Sequence, residues 1–171
     1  RARHNVTHAQ PPHLFMNDGA GNFRDFSRLA GDSFSTPKVA RGAAYGDFDN
    51  DGDLDVLITT NNGPAYLFRN DLDNGHRSVR LRLIGTKSNR DAIGAVVKFE
   101  ASGLAGARTV KSATGYLSQS ELPLTIGLGR RDSLLRATVF WPSGRTEEFK
   151  NLKAGGRFVI EEGKGLRPDR A

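Results

Sequence analysis

The segment Asp47-Phe48-Asp49-Asn50-Asp51-Gly52-Asp53-Leu54-Asp55 constrains this chain more than any other, because it sets five carboxylates within nine residues. Free in water, such a loop works against its own charge repulsion, and a divalent cation removes the conflict. Side-chain oxygens of Asp47, Asp49, Asp51 and Asp55 can converge on one point if the loop curls. Gly52 is the residue able to supply a positive φ at the bend, and Asp53 offers its backbone carbonyl. A flexible, all-oxygen, carboxylate-rich donor set favours Ca²⁺ over Mg²⁺, which keeps a tight octahedron with waters, and over Zn²⁺, which prefers nitrogen or sulfur. The loop is not a standard EF-hand: its twelfth position is Ile58 instead of Glu, and its flanks read as strands.

Those flanks set the fold class. Twenty glycines and seven prolines punctuate short apolar runs, the pattern of turns between strands, so the chain is expected to be all-β. Leu14 to Asp18, a glycine-rich turn and Phe23 to Phe26 read as a hairpin, followed by a loop over residues 31 to 38. Ala43 to Tyr45, the acidic loop, Val56 to Thr60, an Asn-Asn-Gly-Pro turn and Ala65 to Phe68 read as strand, loop, strand, turn, strand. Leu67-Phe68-Arg69-Asn70-Asp71 repeats Leu14-Phe15-Met16-Asn17-Asp18 at an offset of 53 residues, which suggests one structural repeat preceded by the end of another. Further strands are expected at Val79 to Ile84, Ala95 to Glu100, Arg108 to Ala113, Leu122 to Leu128, Leu135 to Trp141 and Phe158 to Glu161. In the first of these, period-2 alternation buries Val79, Leu81 and Leu83 and exposes the arginines. A sandwich or barrel follows, with Leu81, Leu83, Val97, Phe99, Ile126, Leu128, Val139 and Phe158 in its core.

Composition narrows the chemistry. There is no cysteine, which removes disulfides, thiolate zinc sites and cysteine nucleophiles. No apolar run approaches the roughly 18 residues needed to span a bilayer. Residues 1 to 75 hold seven basic and ten acidic side chains, net −3, whereas residues 76 to 171 hold eighteen and nine, net +9. The basic half reads as a solvated surface or as a site for a carbohydrate or polyanion, with Tyr116 and Trp141 as candidate stacking rings. Nucleic acid is not expected, since no helix-turn-helix, RNP-like or finger motif accompanies the charge. The histidines are His4, His8, His13 and His76, and no Gly-x-Ser-x-Gly, P-loop or His-Glu-x-x-His motif occurs, so an enzyme is not expected. Asn5-Val6-Thr7 fits an N-glycosylation sequon but lies in a polar lead-in.

Tyr45-Gly46-Asp47 through Asp55-Val56 resembles the calcium-loop core of FG-GAP/VCBS repeats, the blades of integrin-α-like β-propellers, and Asn17 to Phe23 is similar to the end of such a blade. Asn89-Arg90-Asp91-Ala92-Ile93-Gly94-Ala95, Gly115-Tyr116-Leu117-Ser118-Gln119-Ser120, Ile126-Gly127-Leu128-Gly129 and Trp141-Pro142-Ser143-Gly144 resemble, in order, the signature blocks of the ASPIC/UnbV domain. The pairing resembles the C-terminal end of proteins similar to cartilage acidic protein 1. These resemblances imply a flexible lead-in at 1–12, a propeller-blade-like remnant at 13–75, an ASPIC/UnbV-like β domain at 76–165 and a tail at 166–171. They also imply a secreted, cell-surface or periplasmic protein whose signal lies upstream of Arg1, with an extracellular protein or glycan as partner and no membrane insertion. A blade remnant is expected to leave strand edges that pack on the second domain or support weak self-association.

Overall fold

The computed structural model describes residues 7–169. His4 and most of the Asn5-Val6-Thr7 sequon lie outside them, as does much of the 1–12 lead-in; Gln10, inside it, bridges Lys38. The chain is nearly all β, as the turn spacing requires. Strands β1 (Phe15–Asn17) and β2 (Phe23–Asp25) form the expected antiparallel hairpin. Its turn is closed by Asp18, whose carboxylate accepts hydrogen bonds from Ala20 N at 2.8 Å and Asn22 Nδ2 at 3.0 Å.

The segment read as a loop over 31 to 38 is partly helical: a 3-10 turn at Ser27–Ala30 leads into α1 (Asp32–Ser35). Its purpose is Phe34, which is buried and stacks edge-on against Phe68 at 5.3 Å. Beside it, buried Lys38 donates to the Ser33 and Thr36 carbonyls and lies over the rings of Tyr66 and Phe68. Together they cover one face of an antiparallel sheet ordered β3 (Ala40–Gly46), β4 (Asp55–Thr60), β5 (Tyr66–Phe68). On the other face the cross-strand pair Leu57 and Leu67 is exposed.

The second domain is a sandwich of two four-stranded sheets, not a closed barrel. One is ordered β11-β10-β7-β8 (Thr146–Lys153, Ser133–Phe140, Val96–Ala101, Leu104–Thr109), the other β13-β12-β6-β9 (Gly165–Pro168, Arg157–Glu161, Arg77–Ile84, Leu124–Gly129). All pairs are antiparallel except β6 with β12. The inward residues of both sheets form one core that includes Leu81, Leu83, Val97, Phe99, Ile126, Leu128 and Val139, with Phe158 packed at its margin. Trp141 belongs to this core at 4% exposure, which removes it as a sugar-stacking platform; Tyr116 is exposed.

Three readings need correction. The strand expected at Arg108 to Ala113 lies earlier, at β8, because small residues there mask the pattern: a Cβ on Gly106 would stand 2.7 Å from the Phe99 ring. Charge-rich β11 carries a mostly solvated pattern, so no apolar alternation announces it. Residues 166–168, placed in a tail, belong to the edge strand β13 (Gly165–Pro168), a position that tolerates Pro168.

Glu162 ties the two sheets together at one end of the sandwich. Its buried carboxylate accepts from the backbone N–H groups of Thr86, Lys87 and Ser88 at 2.7–2.8 Å, from Ser88 Oγ at 3.0 Å and from Ser143 Oγ. Burial opposes its charge, but these donors outweigh that and bring the carboxyl down from 4.5 to about 2.

The domains meet along an edge. The segment at 114–121 runs beside β3: Ala43 N donates to Ser118 Oγ at 3.0 Å, Tyr45 N to Ser120 Oγ at 3.1 Å, and Glu121 N to the Tyr45 carbonyl at 3.1 Å. Gly42 makes this approach feasible, since a Cβ there would stand 3.0 Å from the Leu117 carbonyl. The free edge of β3 is thus covered by two side-chain hydroxyls and one backbone N–H instead of another strand, while β5 has no strand on its outer side among the described residues.

Candidate metal centre

The acidic loop connects β3 to β4, and its curl is built from two left-handed residues. Asn50 has φ 64° and Gly52 φ 99°. Asparagine tolerates that region through its short polar side chain and glycine through its missing Cβ. Within the loop, Asp51 N donates to Asp49 Oδ1 at 3.4 Å and Asp53 N to Asp51 Oδ1 at 2.8 Å, so successive carboxylates turn the backbone inward.

The curl brings Asp47, Asp49 and Asp51 together, with one carboxylate oxygen from each lying within 4.8 Å of the others. Asp49 and Asp51 face solvent, whereas the Asp47 side chain is fully buried. Neither oxygen of Asp47 receives a hydrogen bond. Arg80 Nη1 stands 3.3 Å from its Oδ2, close enough to pair electrostatically but not aligned to donate. A buried carboxylate without donors is costly unless a cation completes it. The donor chemistry therefore fits a hard divalent ion, and Asp47, Asp49 and Asp51 are the side chains that would hold it.

Asp55 and Asp53 lie outside that group of three. Asp55 is buried in the base of the loop, where its Oδ2 accepts from Phe48 N and its Oδ1 from Asn70 N, both at 2.8 Å. It ties the loop entry to the irregular segment that leaves β5. Asp53 is half-buried, and its carboxyl is pushed above the ordinary range by burial first and then by the charges of Asp51, Asp47 and Asp55.

The second domain contributes groups that the loop pattern does not announce. Ser78 Oγ donates to the Gly52 carbonyl at 2.7 Å, and Arg157 Nη2 to Asn50 Oδ1 at 2.6 Å. Arg80, only 13% exposed, forks onto Glu121 at 2.8 and 2.5 Å, and Glu121 Oε2 in turn accepts from Asp47 N at 3.3 Å. The alternation over β6 places Arg80 on the exposed face, and that face is the one on which the metal loop docks. No local signal ties residues 80 and 121 to 47.

Comparison with known families now assigns both parts. Residues 6–58 match the FG-GAP-like repeat, a span that ends in β4 and includes the whole acidic loop. Residues 85–167 match the family described as ASPIC and UnbV, which takes in the sandwich from the loop held by Glu162 to β13. The chain is an FG-GAP-like repeat followed by an ASPIC/UnbV domain. No curated protein matches it. FG-GAP-like repeats are typical of extracellular proteins and often bind calcium, and the pairing is that of an extracellular interaction-type module. Among the described residues no helix is long and apolar enough to cross a membrane.

Proposed function

We propose that this chain is a calcium-stabilised, non-catalytic interaction module of a secreted, cell-surface or periplasmic protein. The reading is carried by Asp47, a buried carboxylate with no hydrogen-bond donor, aimed at Asp49 and Asp51. Calcium would take these three side chains, with the spare lone pairs of Asp55 and the Asp53 carbonyl available to complete the set. Its role is to neutralise the loop and fix the register of β3 against β4, so that ion binding adds to folding stability. The clustered aspartates are then employed on the metal and not as an acid–base pair.

Isothermal titration with CaCl₂ and a thermal scan test this. One site is expected, with a rise in melting temperature, and Asp51→Ala should weaken binding sharply. At a hundredfold excess over the dissociation constant the gain is about 2.7 kcal/mol. No heat and no thermal shift at millimolar calcium would overturn the reading.

A second reading has its own observation. A cleft of about 560 Å³ opens between Tyr45 of the repeat and Arg108 and Lys111 of the ASPIC/UnbV domain. Neither cation pairs with a carboxylate among the described residues, and Thr109, Thr114 and Thr125 line the same walls together with Glu121, whose charge is taken by Arg80. Such a cleft suits an acidic sugar or another polyanion. Salt-sensitive retention on heparin that is lost in Arg108→Glu/Lys111→Glu would support it, and retention unchanged by that substitution would remove it.

A further inference from the structure

We infer that Arg80 and Glu121 of the ASPIC/UnbV domain form a charge pair that sets the calcium affinity of the FG-GAP loop, so that the second domain tunes the metal centre of the first. This rests on the calcium reading above.

The Arg80 guanidinium is mostly buried, and its Nη1 is shared between Glu121 Oε1 at 2.8 Å and Asp47 Oδ2 at 3.3 Å. Glu121 is only 16% exposed, accepts from the backbone N–H of Asp47 at 3.3 Å, and sits against Gly46, where a Cβ would stand 3.3 Å from its Oε2. Solvent therefore screens neither charge well. With both present the pair is close to neutral, and both hydrogen bonds of the guanidinium fork go to Glu121, so Asp47 feels only part of its charge and can still face a cation. If Glu121 loses its charge, Arg80 turns its full positive charge on Asp47 and competes with calcium. If Arg80 loses its charge, Glu121 adds a negative charge beside the loop and calcium gains. A purely structural role for the pair would weaken binding in both cases.

The test is calcium titration of the whole chain, with circular dichroism of each calcium-free variant as a check on folding. Glu121→Gln is expected to raise the dissociation constant about tenfold and Arg80→Gln to lower it about tenfold, from the Coulomb energy of one unit charge near a divalent ion in a partly screened site. The double variant should return to within about threefold of the parent. Weakening by both single variants, or no shift in either, would overturn the inference. If Arg80→Gln does not fold, Glu121→Asp keeps the charge and should bind within about threefold of the parent. Weakening equal to that of Glu121→Gln would then overturn it. Absence of calcium binding by the unmodified chain is a different result and removes the calcium reading itself.

Discussion

The two domains are both built from short strands, yet they cover them by different means. In the ASPIC/UnbV sandwich, nineteen buried residues from both sheets and their connecting loops make one cluster, so hydrophobic burial is the main force that holds the sheets together. In the FG-GAP-like repeat only Phe34 and Ile58 are buried hydrophobics among the described residues, while Phe15, Met16, Phe23, Leu57 and Leu67 face solvent. A sheet this thin leans on other supports: the Phe34 plug, the Lys38 clip, the hydroxyls of Ser118 and Ser120, and the charge arrangement around Asp47. Eight strands thus make a domain stabilised by area, and five make a domain stabilised by contacts to its neighbour.

The largest expected effect breaks the sandwich. Leu81→Ala removes a fully buried side chain from the centre of β6 and should cost about 2–5 kcal/mol in chemical denaturation. A loss below about 1 kcal/mol would mean that the core is not the support described.

Glu162→Gln comes next, at about 1.5–3 kcal/mol, because it strips the charge from a carboxylate that gathers three backbone N–H groups. The pH dependence has a definite sign. The folded carboxyl lies at about 2 against an ordinary 4.5, so its contribution is full above about pH 4.5 and is lost as pH falls toward 2. Melting temperatures of the parent should converge on those of the variant across that window. A constant gap between the two would contradict the assignment.

A smaller effect tests the metal loop. Gly52→Ala places a Cβ at φ 99° and 3.2 Å from Ser78 Oγ, which should cost about 1 kcal/mol and weaken calcium although no ligand is lost. Unchanged calcium affinity would show that the loop curls another way. The smallest effect sharpens the contrast itself. Phe23→Ser in the exposed hairpin should shift stability by no more than about 0.5 kcal/mol, whereas Phe99→Ser in the sandwich should unfold a large fraction of the protein at ambient temperature. A large loss at Phe23 would reveal cover on that hairpin.

Much of this was legible in the residues because it depends on near neighbours. Alternation in Val79-Arg80-Leu81-Arg82-Leu83 marks β6 and its buried face, Trp141-Pro142-Ser143-Gly144 closes the turn between β10 and β11, and Gly52 takes the positive φ that its place in the acidic loop demands. The edge strands β11 and β13 escaped because an edge has solvent on one side and needs no apolar pattern.

The sequence by itself determined the all-β class, the order of repeat and sandwich, most of the core and the concentration of five aspartates in one loop, since turn chemistry, side-chain period and local charge density act over a few residues. Only the tertiary structure decided how those aspartates divide. Asp47 is buried facing the cluster, while Asp55 turns to the backbone of Phe48 and Asn70. It also decided that Arg80, Glu121 and Ser78 stand beside the loop and that Glu162 binds Thr86 to Ser88. Ion pairs and carboxylate cradles have no period and no local signature: their partners are separated by tens of residues, and the energy that selects them appears only once packing has excluded water from between the charges.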